Sequence, residues 1–205
     1  RGITSIVVTD LVGSWTVPIT ADHLTVLNQT AADTYKQLAA IQVGQIHVLG
    51  NPAMDRALHF RGQDPAIFRR QHFPEALADK KFILFDEQDL YWHQDQKFIT
   101  LTQAERRHYL DNIANACEQL DYVLLLRPHP SRAPDFYEDW IRTCHPRHTF
   151  MASGYELYPL LNASDAVLSG FSTLLLDAAY MHKPIIMLKH HVDGSLLGFE
   201  RMGFA

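Results

Sequence analysis

From Lys81 onward, short apolar runs alternate with stretches of helical periodicity, and this alternation constrains the chain more than any other feature. Runs such as Phe82–Phe85 and Tyr122–Leu126 are short, bounded by polar residues, and read as strands covered on both faces. Thr149–Met151, Ala166–Ser169 and Pro184–Leu188 continue the series. Between them lie helical patterns over 102–120, Pro134–Thr143, Tyr155–Leu161 and Thr173–Met181, the first opened by a capping signal from Thr102 to Glu105. Strands separated by helix-length segments specify βαβ units, and so an α/β, Rossmann-like parallel sheet with flanking helices.

The first part of the chain repeats the theme less clearly. Ile3–Thr9, His23–Leu27 and Ile46–Leu49 read as strands, the last closed by the turn Gly50-Asn51-Pro52. A helix over 30–41 takes Asn28 or Thr30 as its cap and stops near Gly44. From Met54 to Lys80 charges and prolines leave only connecting helices or a linker, and Asp86–Thr100 reads as a polar loop. The expected organisation is the end of a truncated Rossmann-like domain over 1–60, a linker over 61–80, and a second domain over 81–205 that is itself truncated at its end.

Composition removes several function classes. Of 205 residues, 47% are hydrophobic and 20% charged, which is globular rather than disordered. The apolar runs fall well short of the roughly 20 residues of a membrane span. A net charge of −5 argues against nucleic acid as a partner. Cys117 and Cys144 are too few for a disulfide framework and lack zinc-ligand spacing, so a cytoplasmic setting is expected. His190-His191 with Asp193 is the best metal candidate, but adjacent side chains on an extended chain diverge, and no metal is expected.

Two loops at strand ends carry suggestive chemistry, because open parallel sheets bind ligands beyond the carboxyl ends of their strands. The first is Arg127-Pro128-His129-Pro130-Ser131. Its prolines restrict the backbone and hold the His129 imidazole in a narrow set of positions, suited to a phosphate hydrogen bond or a proton transfer; a plain turn histidine is the alternative. The second is Ser169-Gly170-Phe171-Ser172-Thr173. Gly170 permits close backbone approach, and two hydroxyls stand at a helix start where amides favour an anion; alternatively Ser172 or Thr173 simply caps the helix. One turn further on, Asp177 is either a ribose ligand or a solvated carboxylate. If the two strand ends are neighbours, these groups surround one anion. His145-Pro146 repeats the histidine-proline pair between a helix and a strand and reads as structural.

The stretch "ASDAVLSGFSTLLLDAAYMHKPIIML" resembles the donor-binding half of GT-B glycosyltransferases and their relatives, with Asp177 seven residues before Pro184 as in those families. "ITADHLTVLNQTAADTYKQLAAIQVGQIHVLGNPAMD" resembles the end of the GT-B N-terminal domain. Within that superfamily the histidine-proline motif with a following serine-threonine motif is similar to two groups. One comprises the bacterial sialyltransferases and capsule Kdo transferases, which use CMP-sugars. The other comprises the CDP-glycerol glycerophosphotransferases of teichoic acid synthesis.

The resemblance implies a metal-independent transferase with a CMP- or CDP-linked donor and no other cofactor, acting on a glycan or glycolipid acceptor in bacterial surface polysaccharide synthesis. It implies His129 as the catalytic residue and, with Ser169, Gly170, Ser172 and Thr173, as a donor phosphate ligand. Asp177 and Arg127 would lie near the ribose and nucleotide. It also implies work at the inner face of the membrane, with any peripheral attachment through parts beyond this chain.

Two departures stand out. Gly170 replaces an aspartate usual in the glycerophosphotransferases, and the acidic base motif of the sialyltransferases would lie in an N-terminal half outside this chain; the loop Asp86-Glu87-Gln88-Asp89 is a weak substitute that either lines the interdomain cleft or, as expected, is solvated. Two alternatives remain. A UDP-N-acetylglucosamine 2-epimerase-like enzyme shares the fold, but such enzymes carry Ser-Gly-Gly and paired glutamates where this chain has Ser169-Gly170-Phe171 and Asp177. The other alternative is a non-catalytic nucleotide-sugar-binding module.

Overall fold

A computed structural model describes residues 4–9, 18–38, 41–88, 91–93, 97–99, 101–130, 132–145, 147–170 and 172–188. The chain forms two compact units, 1–56 and 57–205. His190, His191 and Asp193 lie outside the described residues, as do Ser131, Pro146 and Phe171.

The first unit holds a parallel sheet of β1 (Ile6–Val8), β2 (Ile19–Val26) and β3 (Ile41–Val48) in the order β1-β2-β3. Helix α1 (Gln29–Gln37) joins β2 to β3 and packs Ala31, Ala32 and Tyr35 against Leu24 and Val26. Asn28 is its cap, accepting a hydrogen bond from the Ala31 N–H at 2.8 Å. The helix ends at Gln37, and Gly44, expected as its stop, lies inside β3. A side chain there would meet the Asp22 carbonyl oxygen of β2 at 2.7 Å, so the glycine serves close strand approach rather than helix termination.

In the second unit β4 (Phe82–Glu87), β7 (Val123–Pro128), β8 (Thr149–Met151), β9 (Ala166–Ser169) and β10 (Ile185–Met187) form a wholly parallel sheet, in the order β10-β9-β4-β7-β8. The expected Rossmann-like α/β fold is thus the one that forms. Where a polar loop was expected after β4, a small antiparallel pair stands instead, β5 (Tyr91–His93) with β6 (Lys97–Ile99). Helix α4 (Gln103–Gln119) carries the expected capping box and buries Leu110, Ile113, Ala114 and Cys117, a stripe of helical period. Helices α5 (Asp135–Cys144), α6 (Leu157–Ala163) and α7 (Leu174–Tyr180) complete the crossovers.

Residues 61–80, read from sequence as a linker, fall within the second unit. They follow directly on α2 (Arg56–Phe60) and include α3 (Pro65–His72). On α3 the buried Arg69 guanidinium donates to the carbonyls of Ala163 (2.8 Å) and Lys80 (3.0 Å), pairs with Asp165 at 2.7 Å, and lies 4.5 Å from the Phe82 ring. His145 caps the far end of α5. Its ring lies 3.0 Å from the Glu118 carboxylate and 3.4 Å from Asp111, and packs against Trp140, tying α5 back to α4. No helix among the described residues is long and apolar enough to cross a membrane.

Candidate functional site at the carboxyl edge of the central strands

The chain builds β4, β7 and β8 outward in one direction, then returns through α6 to start β9 on the other side of β4. Where strand order reverses in this way, the connections diverge and leave a crevice at the carboxyl ends. The reversal here falls between β4 and β9, and three of the expected site residues, Ser169, Gly170 and Ser172, lie at the carboxyl end of β9 and in the turn that follows it.

The two suspect loops are not on neighbouring strands, as the sequence reading required. β4 runs between β7 and β9, which separates their backbones by two strand spacings, about 10 Å. The gap is filled by the end of β4, which runs two residues further than expected and includes Asp86 and Glu87. Asp86 pairs in register with Arg127 on one side and Ser169 on the other. It is 6% exposed and Glu87 fully buried, so the acidic stretch expected to be solvated begins inside the core.

Asp86 is the hub. The Ser169 hydroxyl donates to its carbonyl oxygen (2.9 Å) and its carboxylate (3.1 Å), the Gln88 amide donates at 2.6 Å, and the Ser172 hydroxyl bonds the same carboxyl. Burial pushes this carboxyl above the usual range, against the opposing pull of those donors and of the Arg127 charge. Ser172 also accepts the Leu174 N–H at 3.1 Å, so it caps α7 while facing Asp86. Thr173 makes no side-chain cap, and α7 has only seven residues. Side chains and strand ends, rather than a helix dipole, therefore characterise the site.

Glu87 points to the other face, where Tyr137 of α5 donates to it at 2.9 Å and Arg106 of α4 lies 3.5 Å away. Arg106 also donates to the Tyr137 hydroxyl at 2.9 Å. Burial raises the Glu87 carboxyl despite these partners. Its main-chain carbonyl accepts the N–H of His129 at 3.0 Å, extending the ladder one residue past β7, and His129 accepts the N–H of Arg132 at 2.9 Å. His129 is thus backbone-anchored to β4 while the residue itself is exposed.

The remaining expected residues are placed as follows. Arg127 directs one guanidinium nitrogen to the carbonyls of Ala152 (3.2 Å) and Tyr155 (3.1 Å), holding the loop after β8. Asp177 accepts the Tyr158 hydroxyl at 2.9 Å, and burial raises its carboxyl. Gly170 has open space: an added side chain would meet only the Leu188 carbonyl, at 3.7 Å, among the described residues. Sequence reasoning named Asp86 only within an acidic loop and missed its place at the buried end of β4, bonded to Ser169 and Ser172. The signal was the strand's own apolar run, which a buried parallel strand can extend into polar residues once they have partners.

A family model for CDP-glycerol:poly(glycerophosphate) glycerophosphotransferase matches residues 12–194. The chain belongs to this glycerophosphotransferase family. Of the two groups resembled in sequence, the match selects the second. No curated protein matches the chain. Among solved structures the family's fold is seen in the wall teichoic acid polymerase TagF, at 19% identity and a TM-score of 0.54, covering 84% of this chain and 40% of that one. A TagF variant with a histidine changed to asparagine and soaked with CDPG gives 18% identity, a TM-score of 0.58, and coverage of 84% and 39%. A TagF variant with a histidine changed to alanine gives 20%, 0.56, and coverage of 80% and 38%. The chain thus spans about two fifths of the length of the TagF chains it matches.

Proposed function

We propose that this chain carries the donor-binding half of a transferase that moves a glycerophosphoryl group from a cytidine-linked donor, CDP-glycerol, onto a growing cell-wall polymer. The observation that carries the reading is that, in a member of this family, the Ser169 and Ser172 hydroxyls meet the Asp86 carboxyl at the carboxyl edge of the central strands, where the His129 backbone is bonded to the adjoining Glu87. In the reaction an acceptor hydroxyl oxygen attacks the glycerol-bearing phosphorus and gives up its proton to solvent, the bond from that phosphorus to the CMP oxygen breaks, and CMP departs with the electron pair. Positioning and charge stabilisation do most of the catalytic work in such a transfer.

In this reading His129 donates a hydrogen bond, or a proton, to the departing phosphate. Ser169, Ser172 and Thr173 supply hydroxyl donors, and Gly170 lets the backbone approach the diphosphate. Asp177 and Arg127 bound the ribose side. The phosphate charge is met by these groups rather than by a metal ion, and the acceptor is a glycan or glycolipid presented at the inner membrane face.

Calorimetric titration of CMP, CDP, UDP and CDP-glycerol into wild type and a His129→Ala variant tests the assignment. Loss of a charge-assisted hydrogen bond costs about 1.5–3 kcal/mol, so CDP and CDP-glycerol should bind the variant roughly ten- to a hundredfold more weakly. Equal affinity of the two proteins removes His129 from the phosphate site. Equal affinity for CDP and UDP removes the cytidine preference.

A further inference from the structure

An acidic side chain stands where the proposed donor would place a diphosphate. Asp86 occupies the reversal point of strand order, between Arg127 and Ser169, and two of the hydroxyls assigned to the phosphate donate to its carboxyl instead. A hydroxyl has one proton to give, so Ser169 cannot serve a carboxylate and a phosphate oxygen at full strength together. A fixed carboxylate beside an incoming diphosphate is also repulsive, and burial at 6% exposure leaves little water to screen it.

We propose that Asp86 is a positioning residue for the donor: as a carboxylate it holds the Ser169 and Ser172 hydroxyls in place, and on donor binding it takes up one proton from solvent, freeing both hydroxyls for the phosphate oxygens. The inference rests on the donor site proposed above. Once neutral, the carboxyl is a weaker acceptor and itself gains a donor O–H, so the cluster changes from anion-repelling to anion-binding without moving the backbone.

The charged groups around it favour this exchange. Arg127 on β7 is the neighbouring cation, but one of its guanidinium nitrogens is directed to the carbonyls of Ala152 and Tyr155. Glu87, next on the same strand, is a second acid that opposes charge on Asp86. From β9, the turn before α7 and the end of β4, the facing groups Ser169, Ser172 and Gln88 are neutral. Burial already biases the carboxyl toward its protonated form.

The test is a proton count. CDP-glycerol is titrated into the full chain in two buffers of different ionisation enthalpy at one pH, and the dependence of the observed heat on buffer gives the protons taken up. The diphosphate of this ligand is esterified at both ends and titrates far below neutral, so an uptake belongs to the protein. Wild type should take up close to one proton, and its affinity should fall by about tenfold per pH unit once Asp86 is ionised in the free protein. Asp86→Asn should bind with no uptake and little pH dependence, whereas His129→Gln should bind more weakly yet keep the uptake.

Zero uptake by wild type with pH-independent affinity overturns the inference, with no variant required, and leaves the donor site standing. Uptake that persists in Asp86→Asn and disappears in His129→Gln overturns it equally, assigning the proton to the imidazole. Failure of wild type to bind CDP-glycerol at all overturns the donor site and the inference with it.

Discussion

Adjacent residues on a strand point to opposite faces, and Asp86 and Glu87 show what that does to two carboxylates. Asp86 faces hydroxyls and an amide at the crevice, whereas Glu87 faces a phenol and a guanidinium beneath α4 and α5. The first joins the hydroxyl cluster at the end of β9, and the second braces the strand end to which the His129 backbone is hydrogen-bonded. Gly170 offers a separate test at this scale. Its backbone needs no positive φ, and an added methyl has room against the described residues. Gly170→Ala should therefore leave unfolding free energy within about 1 kcal/mol of wild type. If the diphosphate backbone packs there, the same methyl should weaken CDP-glycerol binding by about 1–3 kcal/mol, read by calorimetry against the urea midpoint. Unchanged affinity would show that the donor does not approach Gly170.

At the scale of elements, α3 is held to the sheet by one side chain more than by its apolar face. Arg69 bonds the carbonyls of Ala163, Ala78 and Lys80, pairs with Asp165 and stacks on Phe82, bridging the amino ends of β4 and β9. Asp165 in turn accepts the Phe82 N–H at 2.9 Å. Arg69→Ala strands a partly buried carboxylate and three carbonyls, and should cost about 3 kcal/mol in denaturant unfolding, while Arg69→Lys recovers only part because an ammonium cannot reproduce the fork. A loss under about 1 kcal/mol would mean α3 docks mainly through Phe68 and Phe73. The segment 61–80 looked like a linker because its few apolar residues form no long periodic run, and its anchor is an arginine. Charge in a sequence is ordinarily read as solvent exposure, and only the carbonyls presented by distant strands give this one a buried place.

Across the whole molecule, stability follows pH through two opposed sets of carboxyls. Asp86, Glu87 and Asp177 are raised by burial, so what they contribute is fully present below the ordinary carboxylate pKa and is lost as pH rises through their raised values. Asp165 is partly desolvated, but the Phe82 amide, Lys81 and Arg69 hold it below its ordinary value. Its contribution is present above that value and is lost as pH falls through the depressed one. Stability should thus rise as pH climbs through the depressed Asp165 value and decline as it passes the raised values of the buried carboxyls, with a smaller decline in Asp86→Asn. Urea unfolding of both proteins from about pH 3 to 8 measures these changes, and a decline no smaller in Asp86→Asn than in wild type would contradict the assignment.

Local periodicity determined much by itself: the parallel α/β class, the strands Thr149–Met151 and Ala166–Ser169, the capping box of α4, and the loops that carry His129 and Ser169 to Thr173. These depend on interactions within a few residues, which a sequence displays directly. Tertiary structure decided which strands lie side by side. It set β4 between β7 and β9, made Gly44 a close-approach residue, buried Arg69, and turned Asp86 from an expected solvated acid into the hub of the site. Strand order comes from long-range pairing and from burial that the assembled layers share. For a polar residue at the end of an apolar run, the partners that make burial affordable are distant in sequence and meet only in the folded sheet.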